Sequence, residues 1–114
     1  MAIKTSSMRN SLASEYAILA LFGAVYTSAP GSTAGAEVSG GSPAYARKGL
    51  VWSSPTDGVI TATAEFDIPE NTTVMGVGVH SEVTGGDYLD GNTVVSQNFA
   101  TQGTLTVTFT YTQS

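Results

Sequence analysis

The sequence predicts a mainly β fold: an antiparallel β-sandwich, jelly-roll or immunoglobulin-like, preceded by one short N-terminal helix. Three observations predict it. Thr104–Tyr111 alternates without a break, with Leu105, Val107, Phe109 and Tyr111 on one face and four threonines on the other. That is the period of a strand with one buried side. Val59–Phe66 repeats the pattern, setting Ile60, Ala62, Ala64 and Phe66 against Val59, Thr61, Thr63 and Glu65. Turn residues then recur at short intervals, at 54–58, 69–71, 85–86 and 90–92, so each strand is short and followed by a reversal. A chain of 114 residues makes one domain, divided into a helical segment over 1–15 and a single sandwich over 16–114.

The elements follow in order. Thr5, Ser6 or Ser7 can cap a short helix, and Met8, Leu12 and Glu15-Tyr16 follow at helical spacing. The apolar stripe is narrow, so this helix packs against something rather than standing free. Helical periodicity fades near Ala17, and Ile18–Tyr26 becomes a continuous apolar run, consistent with a buried strand. Pro30-Gly31 ends it, and a loop rich in Gly, Ser and Ala extends to Pro43. Ala44–Ser53, with Tyr45, Leu50, Val51 and Trp52, is the next expected strand, followed by Val59–Phe66 and Val74–His80. In the last of these Gly76 and Gly78 leave one face bare, which allows another backbone or a large side chain to approach closely. A short Tyr88-Leu89 segment, then Thr93–Phe99 and Thr104–Tyr111, complete the set.

Composition narrows the function. There is no cysteine, which removes disulfides, thiol nucleophiles and zinc–thiolate sites. His80 is the single histidine, so any Ser-His-Asp triad depends on it. A net charge of -5 opposes nucleic acid as a partner, since phosphate binding needs a basic stripe. Lys4, Arg9, Arg47 and Lys48 are the only basic residues, and seven acids with no base follow from Gly49 onward. Only 11% of residues are charged, against about 25% in typical soluble domains, so the surface suits lying against other protein. Residues 1–36 have the outline of a secretory signal with a small-residue site at Ala34–Ala36, but Glu15 and the long positive region oppose cleavage. Tyr16–Tyr26 has about half the length a membrane span needs.

Candidate chemistry is sparse. Glu65 and Asp67 lie two apart on one strand, the residue type of glycoside hydrolysis, yet nothing nearby raises either pKa, and they read as strand-edge acids. Asp87, Asp90 and Asn92 offer hard oxygens for calcium without EF-hand spacing, and they are also ordinary turn residues. His80, at a strand end, is expected at the surface or an interface, where it can sense pH, rather than as a catalytic base. Asn71-Thr72-Thr73 matches the glycosylation tripeptide. No catalytic residue, cofactor site or metal site is expected.

The run Tyr26-Thr27-Ser28-Ala29-Pro30-Gly31, followed by Glu37-Val38-Ser39-Gly40-Gly41-Ser42-Pro43-Ala44-Tyr45-Ala46-Arg47-Lys48, resembles a family of small virion proteins assigned as tail fibres of tailed bacteriophages, common in phages of actinobacteria. Phe66-Asp67-Ile68-Pro69 before Asn71-Thr72-Thr73-Val74, and Thr84-Gly85-Gly86 before Tyr88-Leu89, are similar to its strand–turn–strand and its glycine-rich hairpin. The resemblance covers nearly the whole chain. It departs at the N-terminus, where the family has a charged, alanine-rich helix and this chain carries less charge.

The resemblance implies a non-enzymatic structural component of the virion, a tail fibre or minor tail protein made in the host cytoplasm. A capsid decoration protein is the alternative, and a glycan-binding host-recognition module built on Tyr45, Trp52 or the Asp87–Asn92 loop a further one. Identical copies, in a homotrimer, and other virion proteins are the expected partners, with no membrane span. The expected interface residues are Tyr45, Arg47, Lys48, Trp52, Gly76 and Gly78, with Arg47-Lys48 meeting an acidic surface of a neighbour.

Overall fold

A computed structural model describes residues 3–114; residues 1 and 2 of the expected helical segment lie outside the described residues. One helix and six strands follow in order: α1 Ser6–Leu19, β1 Phe22–Tyr26, β2 Lys48–Gly49, β3 Val59–Ile68, β4 Thr72–His80, β5 Tyr88–Phe99 and β6 Gly103–Thr112. They form two antiparallel sheets, one ordered β2-β1-β4-β5 and the other β3-β6. The mainly β sandwich with one short helix is the observed architecture.

Thr5 caps α1, its hydroxyl accepting from the Met8 N–H at 3.2 Å, which satisfies one of the otherwise unpaired first-turn donors. The helix does not stop at residue 15. It runs on to Leu19, and the Ala20 N–H closes the last turn on the Tyr16 carbonyl. The apolar run that begins at Ile18 is therefore shared between a final helical turn and β1. An apolar stretch of this length carries no periodicity that separates the two.

β1 is the inner strand that joins the larger sheet, pairing with β2 through Gly23↔Lys48 and with β4 from Phe22↔His80 to Tyr26↔Gly76. β3 and β6 pair in unbroken register from Val59↔Thr112 to Ile68↔Gly103. Two expected strands change. Ala44–Ser53 contributes only the two-residue β2, while Tyr88-Leu89 and Thr93–Phe99 merge into β5 because Asp90, Gly91 and Asn92 continue the ladder opposite Val79, Gly78 and Val77.

The core lies between the sheets. β3 buries Ile60, Ala62, Ala64, Phe66 and Ile68 in strict alternation, and the last four form one cluster with Val25, Leu50, Val74, Val79 and Phe109. Phe66 sits edge-to-face with Phe109 at 6.4 Å and stacks with Tyr45 at 6.3 Å. Each fully buried side chain of this size contributes about 1.5–3 kcal/mol. On the outer face, Thr61 opposes Thr110, and Thr63 opposes Thr108 with their hydroxyls 3.2 Å apart. β-branched pairs of this kind suit a solvated sheet face.

On the other face of the larger sheet, Tyr26 of β1 and Pro30 lie over β4. There the glycines of β4 matter. A Cβ on Gly78 would lie 2.5 Å from the Tyr26 hydroxyl and 2.7 Å from its ring, and one on Gly76 would run into the Pro30 ring.

Candidate interface and ligand surfaces

The structure places the six expected interface residues against their own chain. Arg47 is held on four sides. Its Nε and Nη2 donate to the two Glu37 oxygens at 2.9 Å each, and its Nη1 donates to the Glu82 and Gly85 carbonyls at 3.0 and 2.9 Å. The planar guanidinium fork matches this carboxylate-plus-carbonyl arrangement. Lys48 stands 4.0 Å from Asp67. The Tyr45 hydroxyl donates to Glu37 at 2.8 Å and accepts from the Val25 N–H at 3.0 Å. The Trp52 indole N–H donates to the Ala20 carbonyl at 2.7 Å, pinning the helix end to the connection between β2 and β3. Gly76 and Gly78 receive Pro30 and Tyr26, so the large side chain expected to approach them belongs to this same chain.

Arg47, Glu37 and Tyr45 form one hydrogen-bonded group that sequence reasoning does not assemble. His80, expected at the surface or an interface, is buried within its own chain, only 4% exposed. Its Nε2 is 2.5 Å from the Tyr26 hydroxyl, and Tyr26 itself is fully buried. Burial, and then the nearby Arg47 charge, hold the imidazole below its ordinary value, against a smaller upward pull from Glu37. Burial pushes the Glu37 carboxyl up, but the Arg47 and Tyr45 hydrogen bonds and the Arg47 charge overcome it and leave the group below the ordinary value. Burial raises Tyr26 and Tyr45. The result is a neutral imidazole beside an ion pair.

A second feature is a cleft of about 430 Å³ where the two sheets part. β5 and β6 each pair on one side only, and their free edges form its lips at Asp90–Asn92 and Thr108–Thr110, over a floor of Val77–Val79. Tyr16 and Trp52 close one end. Tyr16 stacks on Tyr111 at 3.8 Å, meets Trp52 edge-on at 5.7 Å, and donates to the Asp90 carboxylate at 3.0 Å. Burial first, and then Asp90, raise the Tyr16 pKa. The structure thus brings Trp52, Asp90 and Asn92 together, as three of the residues considered for glycan contact, and adds Tyr16, which its helical position alone did not mark. Tyr45 lies elsewhere, under the Glu37–Arg47 pair.

Glu65 and Asp67 share the outer face of β3, opposite Thr106 and Thr104. Among the described residues no group of three His, Asp or Glu side chains gathers closely enough to hold a metal ion, and no helix is long and apolar enough to cross a membrane.

Among the described residues no buried side-chain donor or acceptor is left unpaired, as expected of a folded domain. The chain belongs to the family of the podophage GP4 fiber I protein gp80, whose family model matches residues 12–113. That makes it a structural component of a phage virion. No curated protein and no solved structure matches it.

Proposed function

We propose that this protein is a tail-fibre subunit or minor tail protein, assembled with identical copies and other virion proteins after synthesis in the host cytoplasm, and that it catalyses no reaction. The observation that carries this reading is the fibre-family match across residues 12–113. The internal engagement of Arg47, Glu37 and His80 supports it, because the most chemically capable residues are committed to holding the fold. Gold-labelled antibody on intact particles tests it. Label at the tail is expected. Label over the capsid shell would replace the reading with a decoration protein.

The cleft favours a second role, recognition of a host-surface glycan. Aromatic walls at Tyr16 and Trp52 with a carboxylate and an amide on one lip provide the stacking face and the hydroxyl partners that sugars use. Asn92→Ala, at an exposed lip position, is then expected to reduce phage adsorption at least tenfold with particle assembly intact. Unchanged adsorption removes this role.

A further inference from the structure

The helix α1 faces the wrong way for a subunit that works alone. Its inner side holds on by small, polar and aromatic groups. Ala13 is fully buried, Asn10 accepts from the Gly58 N–H at 2.8 Å, Arg9 pairs with Asp57, and Tyr16 stacks on Tyr111. Its larger aliphatic side chains point to solvent: Met8 51%, Leu12 38%, Ile18 63% and Leu19 51% exposed, continued beyond the helix by Leu21 at 45% and Val51 at 88%. An amphipathic surface helix normally turns its apolar stripe inward; here the stripe is turned outward.

We infer that this outward face is a self-association surface, on which α1 of a second copy packs antiparallel.

Three observations select that occupant. Met8, Leu12 and Leu19 lie on one face of the helix at seam spacing, with the charged Glu15 at the one polar position between them. The four exposed aliphatic residues of the helix present on the order of 400 Å², within the range of a functional apolar patch on a monomer and about half of the roughly 800 Å² per partner in a standard interface. Charge then sets the direction. The last turn of α1 contains no basic residue, so its negative dipole end lacks a cation. Antiparallel packing brings Lys4, for which no ion pair forms among the described residues, to that end of the partner helix. It also sets Glu15 beside Leu12 and Ser11 of the other copy. A parallel pair or a three-helix bundle would instead place the Glu15 carboxylates against one another.

The contact is tested on the full chain by analytical ultracentrifugation, with circular dichroism and thermal melting as controls. The wild type is expected to be a dimer at tens of micromolar. Leu12→Lys with Leu19→Lys is expected to weaken association at least 30-fold, and Lys4→Glu about threefold at low salt, where surface charges are least screened. If the double variant loses its folded signature, Met8→Lys alone, in the first helical turn and half exposed, supplies the same readout. A wild type that stays monomeric to about 100 μM, at the weak end of the affinity scale, overturns the inference. So does a trimer or larger oligomer that these substitutions leave intact, or a face covered only by a different virion protein. Label position on the particle reports the fibre role separately, so the two readings fail independently.

Discussion

Arg47 offers the most decisive experiment, because sequence and structure assign it different work. The sequence expectation sends its charge to a neighbour; the geometry sends it to Glu37 and to two carbonyls of the 82–85 turn. Arg47→Met keeps much of the stem and removes the guanidinium. Four hydrogen bonds are lost, two of them to a carboxylate, and charged hydrogen bonds contribute about 1.5–3 kcal/mol each when buried. The Glu37 side chain retains 28% exposure against 11% for Arg47, so water recovers part of that loss and a net cost of about 2–4 kcal/mol is expected. For a domain of this size about 1 kcal/mol corresponds to roughly 4 °C, giving a fall in Tm of about 8–16 °C. Calorimetry on Arg47→Met, Glu37→Gln and the double variant measures it. Most of the loss is expected to appear as coupling between the two positions. A Tm within about 3 °C of wild type, together with dissociation of oligomers in low salt, would show that Arg47 acts between copies and that the internal network is not what holds this region.

Two further outcomes follow from the same region. Gly78→Ala drives a methyl group against the buried Tyr26 ring and the Asp90 carbonyl, and neither can retreat, so unfolding in urea is expected to shift by about 2–3 kcal/mol; a change under about 0.5 kcal/mol would mean that Tyr26 does not occupy that space. The pH dependence comes from His80, whose folded value lies below the ordinary 6.5. As pH falls through 6.5 the unfolded chain takes up a proton that the folded one refuses. The stabilisation is therefore complete above 6.5 and declines as pH drops from there toward the folded value. Glu37, held below its ordinary 4.5, adds a second decline as pH falls below that point. Tm measured from pH 8 to 4 is expected to drop in these two windows, and a flat curve between pH 7 and 5 contradicts the buried neutral imidazole.

Much of the sheet structure was legible, for a physical reason. β3 and β6 each bury one face against the core, and a one-residue slip would expose it, so alternation in the sequence had to be strict. β5 was harder. Asp90, Gly91 and Asn92 have turn chemistry, yet pairing with β4 across Gly78 holds them in the ladder; tertiary hydrogen bonding overrides local preference. The helix end was hidden because Ile18 and Leu19 are apolar but exposed, so the usual rule that apolar runs go inside pointed toward a strand. His80 was misplaced for want of any local signal. Its hydroxyl partner is 54 residues away in sequence, and although Gly78 reads as a place of close approach, nothing local says that Tyr26 is what approaches it. Of the cleft, Trp52, Asp90 and Asn92 were marked by residue type alone, while Tyr16 reads in sequence only as a member of a helical stripe.

The threonine rows on the outer face of β3 and β6 pair with one another, as Thr63 does with Thr108, while Thr61 also meets Ser53 and Thr108 and Thr110 reach the lip of the cleft. Because these two strands give the core only their opposite side, the exposed threonines can change without touching it. A phage under changing selection can rewrite the chemistry this panel displays, one β-compatible residue at a time, without renegotiating how the protein folds.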